Sequence, residues 1–324
     1  MARRTRSALV PRLAVARVSW GVDAEGVNQP GAQPSDDLGL FGPGSITWRV
    51  LADPATGIGG LRALFLQALH PLAMAGVYEH SGYQDNFWPR LRHTAEYVST
   101  VAFSPTTEVD ALAARVRQMH TLVRGTDGVT GQTYSAQDPE LLTWVHVTEV
   151  SSFLAVAQRG GLGLTGDQED QFFAEQVRAA KLLGARDVPA SRAEVADYLR
   201  QMRPALRCSG TTRAAARLLV VPPMPWRIQL LTPARPAWSA TAILAFSLLP
   251  VWARRMYRLP GLPTTDLAAG LALRGLRTVA LRLPDQLRVG PPVRQAWARA
   301  AALTPTALTP AALTPTIAST AVPR

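Results

Sequence analysis

Residues that begin and end helices recur along this chain, and they constrain its fold more than any other feature. Asp138 and Pro139 are typical of a helix N-terminus, because aspartate accepts hydrogen bonds from free backbone N–H groups and proline suits the first turn. Gly160 is typical of the matching C-terminus, and Ser104 is expected to cap another helix that runs to Gly125. No segment alternates apolar and polar residues long enough to predict a sheet. The sequence therefore predicts an all-α fold.

The size and hydrophobicity of the chain favour a single large helical domain. A chain of 324 residues, 47% of them hydrophobic, can bury one extensive core. We expect this domain to span residues 41–290. The basic N-terminal segment of residues 1–40 and the Thr-, Pro- and Ala-rich tail of residues 291–324, where Leu-Thr-Pro repeats with a five-residue period, are expected to be disordered.

The positive charge is concentrated at the two ends of the chain. Residues 1–20 contain five arginines and no acid, and residues 201–324 contain 16 arginines and two acids, within an overall net charge of +11. Only one of the 34 basic residues is a lysine, Lys181, so genomic base composition is a sufficient explanation for much of the arginine. Neither a nucleic-acid reading motif nor a series of interleaved aromatic residues accompanies the charge, so we expect no nucleic-acid partner.

An uncharged run at residues 236–253 lies between arginines and raises the question of membrane contact. The run is at the lower length limit for a membrane span, and Pro250 interrupts it. A buried core helix is the first interpretation, and peripheral contact with an anionic membrane surface is the second. Near the N-terminus, Arg12 and Arg17 interrupt any apolar signal segment. We therefore expect a cytoplasmic protein, which is peripheral at the membrane under the second interpretation.

All five histidines lie in one window of the chain, between His70 and His146, and none occurs in the 178 residues that follow. Four of them, His70, His93, His120 and His146, fall in different candidate helical segments. Several helices could therefore present imidazoles to one pocket.

Helical spacing places further polar groups beside these imidazoles. His120 shares an apolar stripe with Val116, where a buried imidazole needs a partner. His146 and Glu149 are one turn apart. One upstream face combines a cation, an imidazole and two hydroxyls: Arg90, His93, Thr94 and Tyr97.

Five motifs follow one another through this window. They are Leu66-Gln67-Ala68-Leu69-His70-Pro71, Glu79-His80-Ser81, Arg90-Leu91-Arg92-His93-Thr94, Val116-Arg117-Gln118-Met119-His120 and Trp144-Val145-His146. Together they resemble the bacterial MpaB-type oxygenases, a superfamily that also contains the latex-clearing rubber oxygenases. The resemblance covers residues 41–259. It implies a helical fold with a globin-like core, a non-covalent b-type haem, and O2-dependent cleavage of a carbon–carbon double bond in a lipophilic, isoprenoid substrate.

The resemblance also implies roles for individual residues. His120 matches the histidine that holds the iron in the rubber oxygenases, where it follows an Arg-x-x-Lys-Thr motif whose lysine lies on the distal side. Arg90, His93 and Thr94 match that motif, with histidine in place of lysine. Arg90 and Thr94 would then orient bound oxygen or a carboxylate. Because imidazole ligates ferric iron strongly, one hypothesis makes His93 the second axial ligand of the resting enzyme.

Other residues complete the implied site. Glu79 is the nearest candidate for the pocket glutamate that is credited as the base in the rubber oxygenases. His70 and His146 are candidates to line the haem, and Arg124 is a candidate to pair with a propionate. Cys208 is the only cysteine, so covalent attachment through a Cys-x-x-Cys-His motif is excluded.

Each of these histidines also has an ordinary structural explanation. His70 would hydrogen-bond to backbone carbonyls freed by Pro71, and His80 would be solvated at a helix end. His93 would lie at the surface or cap a helix. His146 would belong to a second layer around the haem or pair with Glu149.

Two other classes of protein stay open on the sequence alone. His93-x-x-Glu96 and His146-x-x-Glu149 could build a non-haem metal site, although their order is the reverse of the usual di-iron Glu-x-x-His motif. A non-catalytic, membrane-associated helical protein is the other class. The sequence predicts no particular oligomeric state.

Overall fold

The computed structural model describes residues 36–82 and 85–303, and these residues are predominantly helical. This confirms the predicted all-α, single-domain fold. The elements are α1 (Ile46–Leu51), α2 (Thr56–Gln67), α3 (Pro71–His80), α4 (Phe87–Phe103), α5 (Thr106–His120), β1 (Arg124–Thr126), β2 (Thr133–Ser135), α6 (Pro139–Gly160), α7 (Gly166–Leu183), α8 (Arg192–Met202), a 3-10 turn (Arg203–Ala205), α9 (Gly210–Val220), α10 (Trp226–Leu231), α11 (Ala234–Ser247), α12 (Val251–Met256), α13 (Thr265–Leu281), α14 (Asp285–Arg288) and α15 (Pro291–Leu303).

Helix α6 lies at the centre of the fold and packs most extensively against α2. Its predicted ends are confirmed, since Asp138 accepts a hydrogen bond from the backbone of Glu140 and Gly161 ends the helix in the left-handed conformation. The close approach of α2 depends on Gly59, because an added Cβ there would lie 3.1 Å from the Cα of Phe153. The two helices therefore bring backbone against backbone at the core.

Some of the surplus arginine is structural. The buried Arg62 on α2 donates to the Ser152 hydroxyl on α6 at 2.6 Å. Arg277 on α13 forms a salt bridge of 2.7 Å with Asp53, and both side chains are largely buried. A buried guanidinium group needs hydrogen-bonding or charged partners, and here the neighbouring elements provide them. Base composition alone therefore does not account for these two residues.

The N-terminus of α5 is capped by a distant residue rather than by Ser104. Asp37 accepts hydrogen bonds from the backbone N–H of Thr106 at 2.5 Å and from its hydroxyl at 2.6 Å. The predicted Ser104 cap is wrong, because the Asp37 carboxylate, 69 positions upstream of Thr106, accepts the hydrogen bonds at this helix end. A cap of that kind has no local sequence signal.

The C-terminus of α5 also differs from the prediction. The helix ends at His120 instead of reaching Gly125. The residues of β1 and β2 pair antiparallel, with Gly125 opposite Tyr134. The backbone N–H and C=O groups of these residues therefore find hydrogen-bond partners through strand pairing. A helix that continued to Gly125 would prevent this pairing. His120 consequently occupies a helix end instead of a helix interior.

Part of the tail that was predicted to be disordered is helical. Residues 291–303 form α15, which packs against α4 and buries Ala296 and Ala300. The Trp297 ring lies 5.1 Å from the Trp48 ring, centroid to centroid. The tail prediction is wrong for these residues because they complete an apolar cluster. The remainder of the tail, residues 304–324, and residues 1–35 lie outside the described residues.

The uncharged run at residues 236–253 is divided between α11 and α12, with Pro250 at the break. Ala242 and Ala245 are fully buried, as expected for a core helix. No single helix within the described ranges combines the length and apolarity needed to cross a membrane. Helices α2 and α3 meet those requirements only as a pair bent by 104°. Most of α2 is buried in the core.

Candidate functional site

Helix α4 carries the predicted polar face, and two of its members are strongly desolvated. Burial lowers the pKa of Arg90 to about 10. Burial, reinforced by the charge of Glu149, raises the pKa of Tyr97. Both side chains nevertheless keep some solvent-accessible surface.

Helix α6 presents a second pair of desolvated groups. Burial lowers the pKa of His146 to about 4 and raises the pKa of Glu149 to about 7. These side chains are also only partly buried by accessible area. The electrostatic effect of Glu149 on Tyr97 shows that this part of α6 lies near α4. Tyr97 and Glu149 therefore lie within electrostatic reach of each other, on two desolvated helix faces.

His120 lies at the end of α5, which packs against α4. Burial lowers the pKa of its imidazole, which is therefore neutral near pH 7. His70 is buried at the N-terminus of α3, with its ring centroid 5.8 Å from that of Trp144. Burial also lowers the pKa of His70, although the carboxylates of two aspartates oppose this effect.

Three imidazole nitrogens are enclosed and have no hydrogen-bond partner among the described residues: His70 Nδ1, His120 Nδ1 and His146 Nε2. Buried polar atoms normally have partners, so three such atoms in one histidine-rich region need an explanation. A neutral imidazole is the form that binds iron, and the desolvated Arg90 suits a carboxylate or another anion. The residues present therefore include groups that could hold a haem, namely a neutral imidazole and a cation.

The hydrogen bond predicted for His70 is not found. Within the described part of the chain, no hydrogen bond links its ring to the carbonyls near Pro71. The proline instead begins α3, and the backbone carbonyl of His70 accepts a bond from Met74 N–H at 2.9 Å. His70 is thus held by packing against Trp144 and by its backbone.

Thr94 has a local hydrogen-bond partner. Its hydroxyl donates to the Arg90 carbonyl at 3.1 Å, one turn earlier in α4. The side chain is otherwise exposed. A serine or threonine that bonds back to the preceding turn locally adjusts the helix. Thr94 is therefore placed to position the Arg90 segment.

Glu79 and Arg124 lie at the β-hairpin. The Tyr134 hydroxyl donates to Glu79 Oε2 at 2.5 Å, and His80 Nε2 lies 3.1 Å from the same hydroxyl. Gly125 leaves room for this group, because an added Cβ would lie 2.7 Å from the Tyr134 oxygen. Arg124 is exposed on β1. No described contact joins Glu79 or Arg124 to the desolvated groups on α4 and α6.

His80 differs from its expected solvated role, because it belongs to this hydrogen-bonded group. Its ring also packs edge-on to the Tyr134 ring, at a centroid distance of 6.2 Å. Tyr134 is buried, so its hydroxyl needs partners, and His80 and Glu79 provide them. These contacts connect α3 to the hairpin.

The alternative non-haem metal site has no support in the geometry. Throughout residues 36–82 and 85–303, no three His, Cys, Asp or Glu side chains form a group that could hold a metal ion. Glu96 instead forms an exposed salt bridge with Arg92 at 3.3 Å. The His-x-x-Glu spacing near His93 therefore does not produce a metal-binding cluster.

Sequence reasoning placed Tyr97 on a polar helix face and made Glu149 a structural partner of His146 or part of a non-haem metal site, but it did not predict the desolvation of either residue. Their chemistry depends on desolvation, which comes from several helices together. The available signal was spacing, since Tyr97 follows Thr94 by three residues and Glu149 follows His146 by three. Spacing identifies a shared face but not the depth of that face in the molecule.

Comparison with known proteins gave one family. The family model described as "ER-bound oxygenase mpaB/B'/Rubber oxygenase, catalytic domain" matches residues 48–282. That range includes α2 to α13 and all the predicted site residues. No match was found among curated proteins or solved structures. Because the matching range covers well over half of the 324 residues, the chain belongs to the MpaB/rubber oxygenase catalytic-domain family.

Proposed function

We propose that this family member is a b-type haem-dependent oxygenase that uses O2 and acts on a lipophilic alkene, of which isoprenoids are the first class to test. The observation that supports haem is the set of enclosed imidazole nitrogens without partners at His70, His120 and His146. Burial keeps these imidazoles neutral near pH 7. A neutral imidazole has the lone pair that an iron centre requires.

In this proposal the His120 imidazole would hold the haem iron. A bound haem would supply an iron that binds and activates O2. His120 would be held at the end of α5, where α4 packs against the same helix. His146 and His70 would line the haem from α6 and α3.

Arg90 would provide a desolvated positive charge on α4. Its guanidinium is strongly desolvated, and electrostatic stabilisation is larger in a water-poor environment than in water. Thr94 would keep the Arg90 segment in position through its hydrogen bond to the Arg90 carbonyl. We therefore assign Thr94 a positioning role.

Glu149 would hold or release a proton on the desolvated face of α6. Its pKa of about 7 lets both forms be populated near neutral pH, which suits a general acid or base. Glu79, the earlier candidate for the base, accepts a hydrogen bond from Tyr134 at the hairpin instead. We therefore prefer Glu149 as the titrating carboxyl group of the proposed site.

The class of substrate is supported by the environment of these groups. Arg90, Tyr97, His146 and Glu149 all show pKa shifts in which desolvation is the largest cause. Surroundings that desolvate four polar groups hold little bulk water. Such surroundings suit an apolar alkene.

An absorption spectrum tests the proposed function directly. The full chain, expressed with iron and a haem precursor, is expected to show a strong Soret band that shifts when carbon monoxide is added to the reduced protein. The absence of a Soret band, together with failure to bind haem in a titration, would contradict the proposal. Metal analysis would then distinguish a non-haem metalloenzyme from a protein without a metal.

The spin state of the ferric iron tests whether His93 is a second ligand. If His93 and His120 both ligate the ferric iron, the resting spectrum is expected to be low-spin, and His93→Ala is expected to convert it to high-spin. Arg92→Ala, an exposed change on the neighbouring position, is the control and should leave the spectrum unchanged. A low-spin spectrum that persists in His93→Ala would rule out His93 as a ligand while leaving the haem proposal intact.

A further inference from the structure

Exposed apolar side chains are concentrated in the C-terminal third of the fold. Among the described residues, 15 of the 19 large hydrophobic side chains that are exposed follow residue 220. Single exposed hydrophobic residues are common on proteins, but a concentration of them on one part of the surface indicates an interaction site.

The clearest part of this surface is one side of α13. At its inner side Ala269 and Leu273 are buried, where the helix packs against α6 and α11. Its opposite side is also apolar, with Leu267 66% and Leu271 59% exposed. Because α13 has apolar side chains on opposite sides and only the inner side is packed, part of its hydrophobic surface is left exposed. The α13 outer face comprises Leu267, Leu271 and Val279, and the exposed Leu276 and Leu283 flank it towards and beyond the C-terminal end of the helix.

A second exposed apolar element lies on α10, which packs against α11 as α13 does. Its side chains Trp226, Leu230 and Leu231 are 65%, 76% and 80% exposed. The Arg227 guanidinium lies 5.5 Å from the centre of the Trp226 ring. Tryptophan beside arginine is favoured where apolar and charged environments meet.

The charge around these helices is almost entirely positive. Residues 201–303 contain 15 arginines, and their only acids are Asp266 and Asp285. Both acids are already in ion pairs, with Arg254 and Arg288. Apart from these two acids, residues 201–303 contain none that could neutralise four exposed arginines on and before α13: Arg255, Arg258, Arg274 and Arg282.

We propose that the α13 outer face docks onto an anionic lipid bilayer. Its leucines would enter the apolar boundary of the bilayer while the neighbouring arginines contact acidic headgroups. This inference goes beyond the oxygenase function and does not depend on haem.

The charges favour a membrane over two other occupants of this face, a second copy of the chain and the chain's own segment at residues 304–324. If a second copy of the chain covered this face, arginines such as Arg274 and Arg282 would be brought near their own copies, which is unfavourable. The chain segment at residues 304–324 contains no acid, so it would leave the arginines without opposite charges. An anionic bilayer complements both the apolar and the basic residues.

Co-sedimentation of the full chain with vesicles tests this proposal. Binding is expected to vesicles that contain phosphatidylglycerol, to be much weaker with phosphatidylcholine alone, and to fall as salt is added. Leu271→Glu is expected to weaken binding to the anionic vesicles about tenfold, because it removes an apolar contact and adds a repelled charge.

Leu122→Glu is the matched control. Leu122 is 59% exposed, like Leu271, but follows α5 far along the chain from α13. It adds the same negative charge to the protein, so it should change vesicle binding less than about twofold if the site is local. Circular dichroism would verify that both variants fold.

Three results would overturn the proposal. One is that the full chain does not bind anionic vesicles. Another is that Leu271→Glu and Leu122→Glu bind equally well. The third is a dimer in sedimentation analysis that Leu271→Glu dissociates while vesicle binding is absent, which would assign the α13 outer face to a second copy of the chain.

Discussion

His120→Ala is expected to abolish stable haem binding and remove the Soret band of the purified protein. Cys208 is the only cysteine, so no Cys-x-x-Cys-His attachment exists and a haem would be retained by ligation and packing alone. Loss of a residue that merely supports a metal ligand costs 10- to 100-fold in affinity, so loss of the ligand itself should weaken haem binding by more than about 100-fold. Haem titration followed by absorbance measures this loss.

Added imidazole and a second histidine variant make the His120 test specific. Free imidazole should enter the space left by the side chain and restore part of the Soret band of His120→Ala. His80→Ala is the control, because His80 contacts Tyr134 at the β-hairpin. If His120→Ala keeps its haem while His146→Ala loses it, the axial ligand lies on α6 and the assignment of His120 is wrong.

Glu149→Gln is expected to stabilise the protein, purified without added haem, increasingly as the pH rises. The folded-state pKa of Glu149 is raised from 4.5 to about 7 by burial. Above the unfolded pKa, the unfolded chain ionises this carboxyl while the folded chain keeps it protonated, so the wild-type protein loses stability up to about pH 7. Glutamine does not ionise. Between about pH 5.5 and pH 8, the free energy of unfolding should rise by about 2 kcal/mol in the variant relative to wild type.

Urea unfolding at several pH values measures this difference. His146 has the opposite dependence, because its lowered folded-state pKa makes the protein lose stability as the pH falls from 6.5 towards about 4. That effect is common to wild type and variant, so it cancels in their difference. Glu149→Leu should show the same slope with pH, whatever its absolute stability. A difference between Glu149→Gln and wild type that does not change with pH would show that Glu149 is ionised normally in the folded protein.

The helices could be predicted because their signals are local. Asp138 and Gly161 mark the ends of α6 through backbone hydrogen bonds and conformations within a few residues. The end of α5 could not be predicted in this way. It depends on Asp37 at one end and on the pairing of β1 with β2 at the other, and both are contacts between separate parts of the chain.

The same distinction applies to the ends of the domain. The composition of residues 291–324 suggested disorder, yet Ala296 and Ala300 are buried in α15. Small side chains give a weak hydrophobic signal in a sequence. They become part of a core only because Trp48 and Phe103 lie opposite and leave space for a closely packed helix.

The sequence by itself determined the helical class, the histidine window and the family motifs, because these depend on residue identity and on spacing along one helix. Only the tertiary structure decided which polar groups lose water. Glu149 and Glu79 are both glutamates on helical segments, but burial raises the pKa of Glu149 to about 7, while Glu79 accepts a hydrogen bond from Tyr134 at the hairpin. Desolvation is the sum of contributions from every element packed around a group, and no single segment of the sequence contains that sum.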